Sequence, residues 1–274
     1  MSHPSASVVV IRGLSMLLAI AWFAGASASV RAELIAYEGF RYAAGQDLNG
    51  QNGGFGWSDA WSTPGGESVT IDPASLSGGT TTGGSAITAP RAQDSDPIAF
   101  YTRDLAQPLG VLEPTIYLSL ELCPDAGFGF YGGLNLVGAN GGVYVGRSGD
   151  QATYGLEGPN TGDFSLSSVP VTAGDTVFLV VRIDFQPGAD TIELFVNPGN
   201  VLSTPDATTS YDLGTLTSVY LNNAGGYTTD EIHIGTTYAD LFVVPELSSL
   251  SLSTMSLALA LISIRSFGRR HRNA

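Results

Sequence analysis

The sequence predicts an all-β protein: a two-sheet antiparallel sandwich over residues 33–243, flanked by an apolar segment at each end of the chain. Three observations carry that expectation. The first is the stretch at 176–199, TVFLVVRIDFQPGADTIELFVNPG, which reads as a long β-hairpin. Val177, Leu179, Val181, Ile183 and Phe185 alternate onto one face, and Thr176, Arg182 and Asp184 onto the other. The turn at 186–190 supplies Pro187 and Gly188, and the return strand puts Ile192, Leu194 and Val196 inward with Thr191 and Glu193 outward. Such a hairpin must bury its apolar face against a second sheet. The second observation is composition: 35 Gly and 14 Pro with only 13% charged residues suit many short strands joined by tight turns. The third is that no segment before Leu247 sustains a helical period.

Taken in order, residues 1–32 read as a secretory signal. Arg12 gives a charged start and Leu14 to Ala24 an apolar run of 11 residues, too short to span a bilayer comfortably. Ala26-Ser27-Ala28 or Val30-Arg31-Ala32 then offers a small-x-small cleavage site. A first strand follows over 34–40. Residues 42–61 are turn material, with Asn49-Gly50 and Asn52-Gly53-Gly54 tolerating positive φ. A short strand is expected over 68–72 and a loop over 77–84. Strands then come quickly, over 98–105, 115–122, 127–138, 142–147 and 152–158, with Gly-rich turns between them. After the hairpin, strands over 215–222 and 230–242 complete the sheets, and Pro124 is expected to end the strand before it. Composition does not break within 33–243, so a single domain is expected there.

The chain changes character at Val244-Pro245-Glu246. Residues 247–264 are 18 positions without a charge, spanning about 27 Å as a helix, enough for a bilayer core. Arg265, Arg269, Arg270 and Arg272 follow and would stay cytoplasmic, stopping transfer. Signal and anchor together predict an acidic body exported to the cell surface or beyond, at least transiently anchored in the inner membrane.

Charge excludes some partners. All 11 basic residues are Arg, six of them in the two ends, and all 25 acidic residues lie between Glu33 and Glu246. Five Arg against 25 acids leave that segment at −20, a body that repels nucleic acid and anionic membranes. Cys123 is the only cysteine, so no intrachain disulfide forms, and its neighbours predict a buried small residue.

Candidate chemistry is sparse. Trp57 and Trp61, four apart in a turn-rich stretch, could stack on sugar rings or pack within the fold, and Tyr144 and Tyr227 are further aromatic candidates for polysaccharide contact. Asp184 and Glu193 fall on paired strands with Arg182 nearby, which reads as a surface ion pair. Asp230 and Glu231 are adjacent, so a regular strand points them to opposite faces. His233 is the only histidine between 33 and 243, which excludes a His/Cys zinc site, and no Gly-x-Ser-x-Gly elbow accompanies it. The Gly-rich run at 138–142 lacks a following helix or Lys and reads as a turn, not a phosphate loop.

Two resemblances add to this. The tail, with Val244-Pro245-Glu246, an apolar span and an Arg-rich end, resembles the bacterial PEP-CTERM sorting signal, with Leu247 where that motif usually carries a second Pro. The resemblance implies an exosortase-type enzyme as partner. The segments AYEGFRYAAGQDLNGQNGGFGW, VVRIDF with DTIELFVNP, and DEIHIGTTYADLF resemble laminin-G-like, concanavalin A-like jelly-roll domains. That resemblance implies a jelly-roll sandwich whose first and last strands pair. It also implies calcium in some members, for which Asp47, Asp150, Asp163, Asp190 and Asp230 lie beside turns. Hydrolases of that fold often carry Glu-x-Asp-x-x-Glu on one strand, a spacing absent here. The expectation is therefore a non-enzymatic, exported module that contacts polysaccharide. The alternatives are a glycan-active hydrolase or lyase with a non-standard carboxylate site, and an inert structural spacer.

Overall fold

The computed structural model describes residues 33–65, 68–76, 85–88, 99–160 and 162–242, with backbone alone described at 85–88. The expected signal segment, the sorting motif at Val244, Pro245 and Glu246, the expected membrane helix and the Arg265 to Arg272 cluster lie outside the described residues. Among the described residues no helix is long and apolar enough to cross a membrane.

Fourteen strands are described. The first five are β1 (Leu34–Glu38), β2 (Val69–Asp72), β3 (Ser85–Thr88), β4 (Ala99–Leu109) and β5 (Thr115–Pro124). Then come β6 (Gly132–Gly138), β7 (Gly141–Arg147), β8 (Thr153–Glu157), β9 (Phe164–Pro170), β10 (Val177–Asp184) and β11 (Asp190–Val196). The series ends with β12 (Ala207–Tyr211), β13 (Leu216–Asn223) and β14 (Tyr227–Gly235), followed by a 3-10 turn over Tyr238–Phe242. They form two antiparallel sheets. The eight-stranded sheet runs β12-β11-β10-β5-β14-β3-β2, with β1 also on β14; the six-stranded sheet runs β4-β13-β6-β7-β8-β9.

The hairpin sets the register. Arg182 pairs with Glu193 and Ile183 with Ile192, so Val177, Leu179, Val181 and Ile183 of β10 and Ile192, Leu194 and Val196 of β11 enter the space between the sheets. There they meet Ile116, Leu118, Leu120 and Leu122 of β5, and across the sandwich Leu134, Leu136, Val143, Val145, Leu156, Val219 and Leu221. All these side chains are buried, and each contributes on the order of 1.5–3 kcal/mol by leaving water. Outward, Arg182 bonds both Glu193 (2.8 Å) and Asp184 (3.1 Å), the expected surface ion pair. A second, smaller apolar cluster forms on the outer face of the same sheet. Val180, Phe195 and Leu241 are buried there against Tyr117, Phe178, Leu202 and Tyr238, so the turn at Tyr238–Phe242 roofs that face.

Several boundaries differ from the sequence expectation. β3, β9 and β12 have no counterpart in it. β5 runs through Pro124, whose nitrogen has no hydrogen to donate but whose carbonyl accepts from Gly174 N–H (2.7 Å). The segment expected as strand at 238–242 is the 3-10 turn, closed by Thr237 N–H donating to the Asp240 carboxylate (2.7 Å). Cys123 lies half-buried on the outer register of β5 opposite Thr228, outside the core, because Leu120 and Leu122 take the inward positions; burial raises its thiol pKa.

Candidate functional site

The residues 39–62 wrap one edge of the sandwich and close on a buried ion pair. Arg103 on β4 takes an inward position beside Tyr101 and Leu105, and its guanidinium bonds the Glu38 carboxylate; both side chains are 1% exposed. The guanidinium makes three further hydrogen bonds. Arg103 Nη2 donates to Asn52 Oδ1 and Gly53 O (2.8 Å each), and Nε donates to Asp59 O (2.9 Å). Glu38 also accepts from Tyr42 Oη–H (2.6 Å), Trp61 Nε1–H (2.9 Å) and Phe40 N–H (2.7 Å). Gly56 lets the wrap lie against β1: its φ is +82°, and a Cβ there would sit 2.2 Å from Ile35 O.

This network absorbs the two tryptophans. Trp61 is 1% exposed, stacked on Phe40 at 6.0 Å and under Arg103 at 5.7 Å. Trp57 is half-buried, with Nε1–H donating to Tyr37 O (2.9 Å) and the guanidinium 5.2 Å from its ring. The two rings meet at 6.4 Å, but as part of this wall and not as an open platform. Tyr144 lies on the outer face of the six-stranded sheet yet is only 6% exposed. Gly133, Gly146 and Gly155 pair in register across β6, β7 and β8 beside Tyr144 and add no side chain of their own there, and Leu166 of β9 lies against Gly155. The Tyr144 hydroxyl donates to Asn222 O (3.0 Å), and the Tyr131 ring meets the Tyr144 ring edge-on at 5.3 Å. Tyr227 is fully buried, its hydroxyl donating to Gly129 O (3.1 Å).

The DEIH stretch departs most from expectation. Glu231 has φ +48°, and the pairing of β14 with β5 slips between Asp230 and His233. This β-bulge brings Asp230 and Glu231 to one face, where a regular strand would separate them. Asp230, opposite Glu121, is fully buried and accepts from Ser75 Oγ–H (2.6 Å), Leu76 N–H (3.0 Å) and Glu231 N–H (2.9 Å). Glu231 accepts from Tyr37 Oη–H (3.2 Å), and Tyr37 in turn accepts from Arg41 (3.2 Å). His233 contacts Glu231 O through Nδ1 (3.1 Å) and packs on the Tyr37 ring at 4.8 Å. Burial pushes the Asp230 carboxyl up to about 7, with the neighbouring Glu231 charge adding and the Ser75 bond opposing. Burial also raises Glu231 and lowers His233 to about 4. Ser119 stands opposite His233, but its buried Oγ has no hydrogen bond among the described residues, so no Ser-His-acid relay is formed.

The calcium candidates do not converge. Asp47 caps its own turn at Asn49 N–H (2.7 Å) and accepts from Tyr101 Oη–H (2.9 Å). Burial pushes its pKa upward, but these bonds and Ser68 outweigh that and hold it low. Asp190 accepts from Gln186 N–H (2.9 Å) and Leu213 N–H (2.8 Å). Among the described residues no three His, Cys, Asp or Glu side chains gather around one point, so Asp47, Asp150, Asp163, Asp190 and Asp230 do not fit a calcium site built from side chains.

An open cleft lies at one end of the sandwich, with a volume of about 610 Å³. Three connections form it: β4–β5 with Val111, Leu112 and Pro114, β10–β11 with Phe185 and Pro187, and β12–β13 with Asp212 and Thr215. The two Asp190 bonds tie the second connection to the third. Val111 and Leu112 are 70% and 83% exposed, and Gly110, having no side chain, packs over the Phe185 ring. Asp212 Oδ1 accepts from Gly214 N–H and Asn140 Nδ2–H (2.9 Å each), and among the described residues no donor reaches Oδ2. Aromatic and proline surface beside a few acceptor groups is the lining that small-molecule sites in general present. Phe185, Pro187 and Asp190 draw notice in the sequence for other reasons, and nothing there joins them to Leu112 or Asp212, because the three connections are far apart in the chain.

No family model matches the chain, and no curated protein matches it. Solved structures similar to it include the endo-1,3-beta-glucanase of Streptomyces sioyaensis, with TM-score 0.46, 12% identity, and coverage of 74% of this chain and 96% of that one. Domain 4 of AbnA, a GH43 extracellular arabinanase of Geobacillus stearothermophilus in complex with arabinotriose, gives 0.42, 11%, 77% and 97% in the same order. Lectin II of Ulex europaeus gives 0.38, 11%, 61% and 88%. At about a tenth of residues identical and TM-scores below 0.5, no residue role passes from these proteins to this chain.

Proposed function

We propose that the chain is an exported, cell-surface polysaccharide-binding module without catalytic activity. In this reading the body is sorted or anchored through its PEP-CTERM-like tail by an exosortase-type enzyme. The observation that carries binding is the end cleft, where Phe185 and Pro187 offer apolar faces beside the Asp212 carboxylate. The non-enzymatic part rests on where the carboxylates sit. Hydrolysis of a glycosidic bond needs two carboxyl groups that reach the substrate. Asp230 is fully buried and takes three internal hydrogen bonds, and Glu231 is 6% exposed and bonded to Tyr37.

The test is a polysaccharide panel presented to the full chain in mild detergent, read by affinity electrophoresis and by release of reducing ends. Saturable binding is expected, weakened at least fivefold by Leu112→Asp with Phe185→Ala, because the stacking surface is lost. Trp57→Phe, away from the cleft, is expected to leave affinity within twofold. Release of reducing ends abolished by Glu231→Gln would establish the hydrolase reading instead. Silence across the panel would leave the spacer.

A further inference from the structure

We infer that the end cleft selects glycans free of acidic groups and takes the sugar as a hydrogen-bond donor. This rests on the polysaccharide-binding reading and adds the chemical class of the ligand. The cleft lining contains Asp190 and Asp212 and no cationic side chain. Asp190 is 2% exposed and turns one oxygen to Gln186 and the other to Leu213, so it offers the ligand negative potential and burial withholds its oxygens from direct contact. Asp212 differs. Its Oδ1 is held by two internal donors, which fix the carboxylate plane, while among the described residues Oδ2 takes no donor and the exposed residue lines the cleft.

A carboxylate accepts hydrogen bonds and donates none, so a sugar placed there must present O–H or N–H. A uronate or sulfated unit would bring a second anion to the same acceptor, and no Arg in the lining is available to pair with it. The wider field works in the same direction, since the 33–246 segment carries five Arg against 25 acids. The two contributions are separable. The long-range field is screened beyond about 8 Å at physiological ionic strength, whereas repulsion at hydrogen-bond distance persists.

The experiment measures binding of the full chain to three probes: a neutral glucan oligosaccharide, a chitosan oligosaccharide and an alginate oligosaccharide, each at low and at near-molar salt. The glucan is expected to bind with an affinity that changes less than twofold with salt. Chitosan is expected to bind at low salt and weaken with added salt. Alginate is expected to bind at least tenfold more weakly than the glucan in both. Asp212→Asn keeps a side-chain oxygen for Gly214 N–H and removes the charge. It is expected to weaken glucan binding by about tenfold, the value of one charge-assisted hydrogen bond, and to narrow the gap to alginate. Alginate binding as tight as glucan overturns the selectivity while leaving polysaccharide binding intact. Equal affinity of wild type and Asp212→Asn for the glucan removes Asp212 from the site. Silence toward all three probes overturns the selectivity together with the reading beneath it.

Discussion

Arg103→Met is expected to lower the melting temperature by roughly 10 °C or more, the largest effect of any single substitution named here. The side chain is 1% exposed and uses its guanidinium on Glu38, Asn52, Gly53 and Asp59 at once. Removing it leaves the Glu38 carboxylate buried without its counter-charge, which costs about 3–5 kcal/mol. For a domain of this size each kcal/mol moves the midpoint by about 2–4 °C. The stacking surface under Trp57 and Trp61 goes as well. Glu38→Gln in the Arg103→Met background removes the orphaned charge and is expected to restore part of the loss, so the two substitutions are non-additive. Scanning calorimetry of the two single variants and the double variant checks this. Simple additivity would mean that packing, and not the ion pair, holds the wrap of residues 39–62 in place.

The second large effect is a pair of opposite pH dependences hidden in the wild type. Asp230 has a folded pKa of about 7 against an ordinary value of 3.8. Its contribution to stability is full below 3.8 and is lost as pH rises through 7, a range worth about 4 kcal/mol. His233 is lowered from 6.5 to about 4. It favours the folded state above 6.5 and withdraws that preference as pH falls toward 4, worth about 3 kcal/mol. Between pH 7 and 5 the two slopes oppose each other, so the wild-type profile is expected to be shallow. Single substitutions unmask them. His233→Gln is expected to gain about 2 kcal/mol on acidification from pH 7 to 5, and Asp230→Asn to lose a similar amount. Glu231, raised by burial, adds to the Asp230 direction in every variant. Urea denaturation at several pH values measures both slopes, and parallel profiles for the two variants would sink the assignment.

How much of this was legible in the sequence follows the chemistry of each element. The hairpin was legible because period-2 alternation of Val, Ile and Leu on both arms fixes which face is buried, and Arg182 opposite Glu193 confirms the register. The strands β9 and β12 were not. Each lies at a sheet edge with one strand partner, and FSLSSVP and ATTSY turn few large apolar groups inward. The bulge was hidden because Glu231 takes a positive φ without the Gly or Asn that would signal it. For the aromatic candidates, spacing gave the residue types but not the partners. Trp61 is buried because Glu38 and Arg103, 65 positions apart, meet beneath it. The cleft joins Leu112, Phe185 and Asp212, which no local pattern could bring together.

The place of β14 in the eight-stranded sheet bears on the order in which the chain can assemble. This strand, the last among the described residues, lies in the middle of that sheet, between β5 on one side and β1 and β3 on the other. Before it forms, β12-β11-β10-β5 and β2-β3 are separate pieces with unpaired edges, and β1 has no strand to join. Tyr37 then finds its register partner in His233, nearly the whole length of the body away. Closing so distant a pair requires most of the loop entropy to be lost before the reward arrives, which makes for slow, late and cooperative folding. A nascent chain lacking residues after Gly226 therefore has no closed sandwich to occupy. It would expose the flank of β5 to other chains, and only the arrival of the last strand removes that edge.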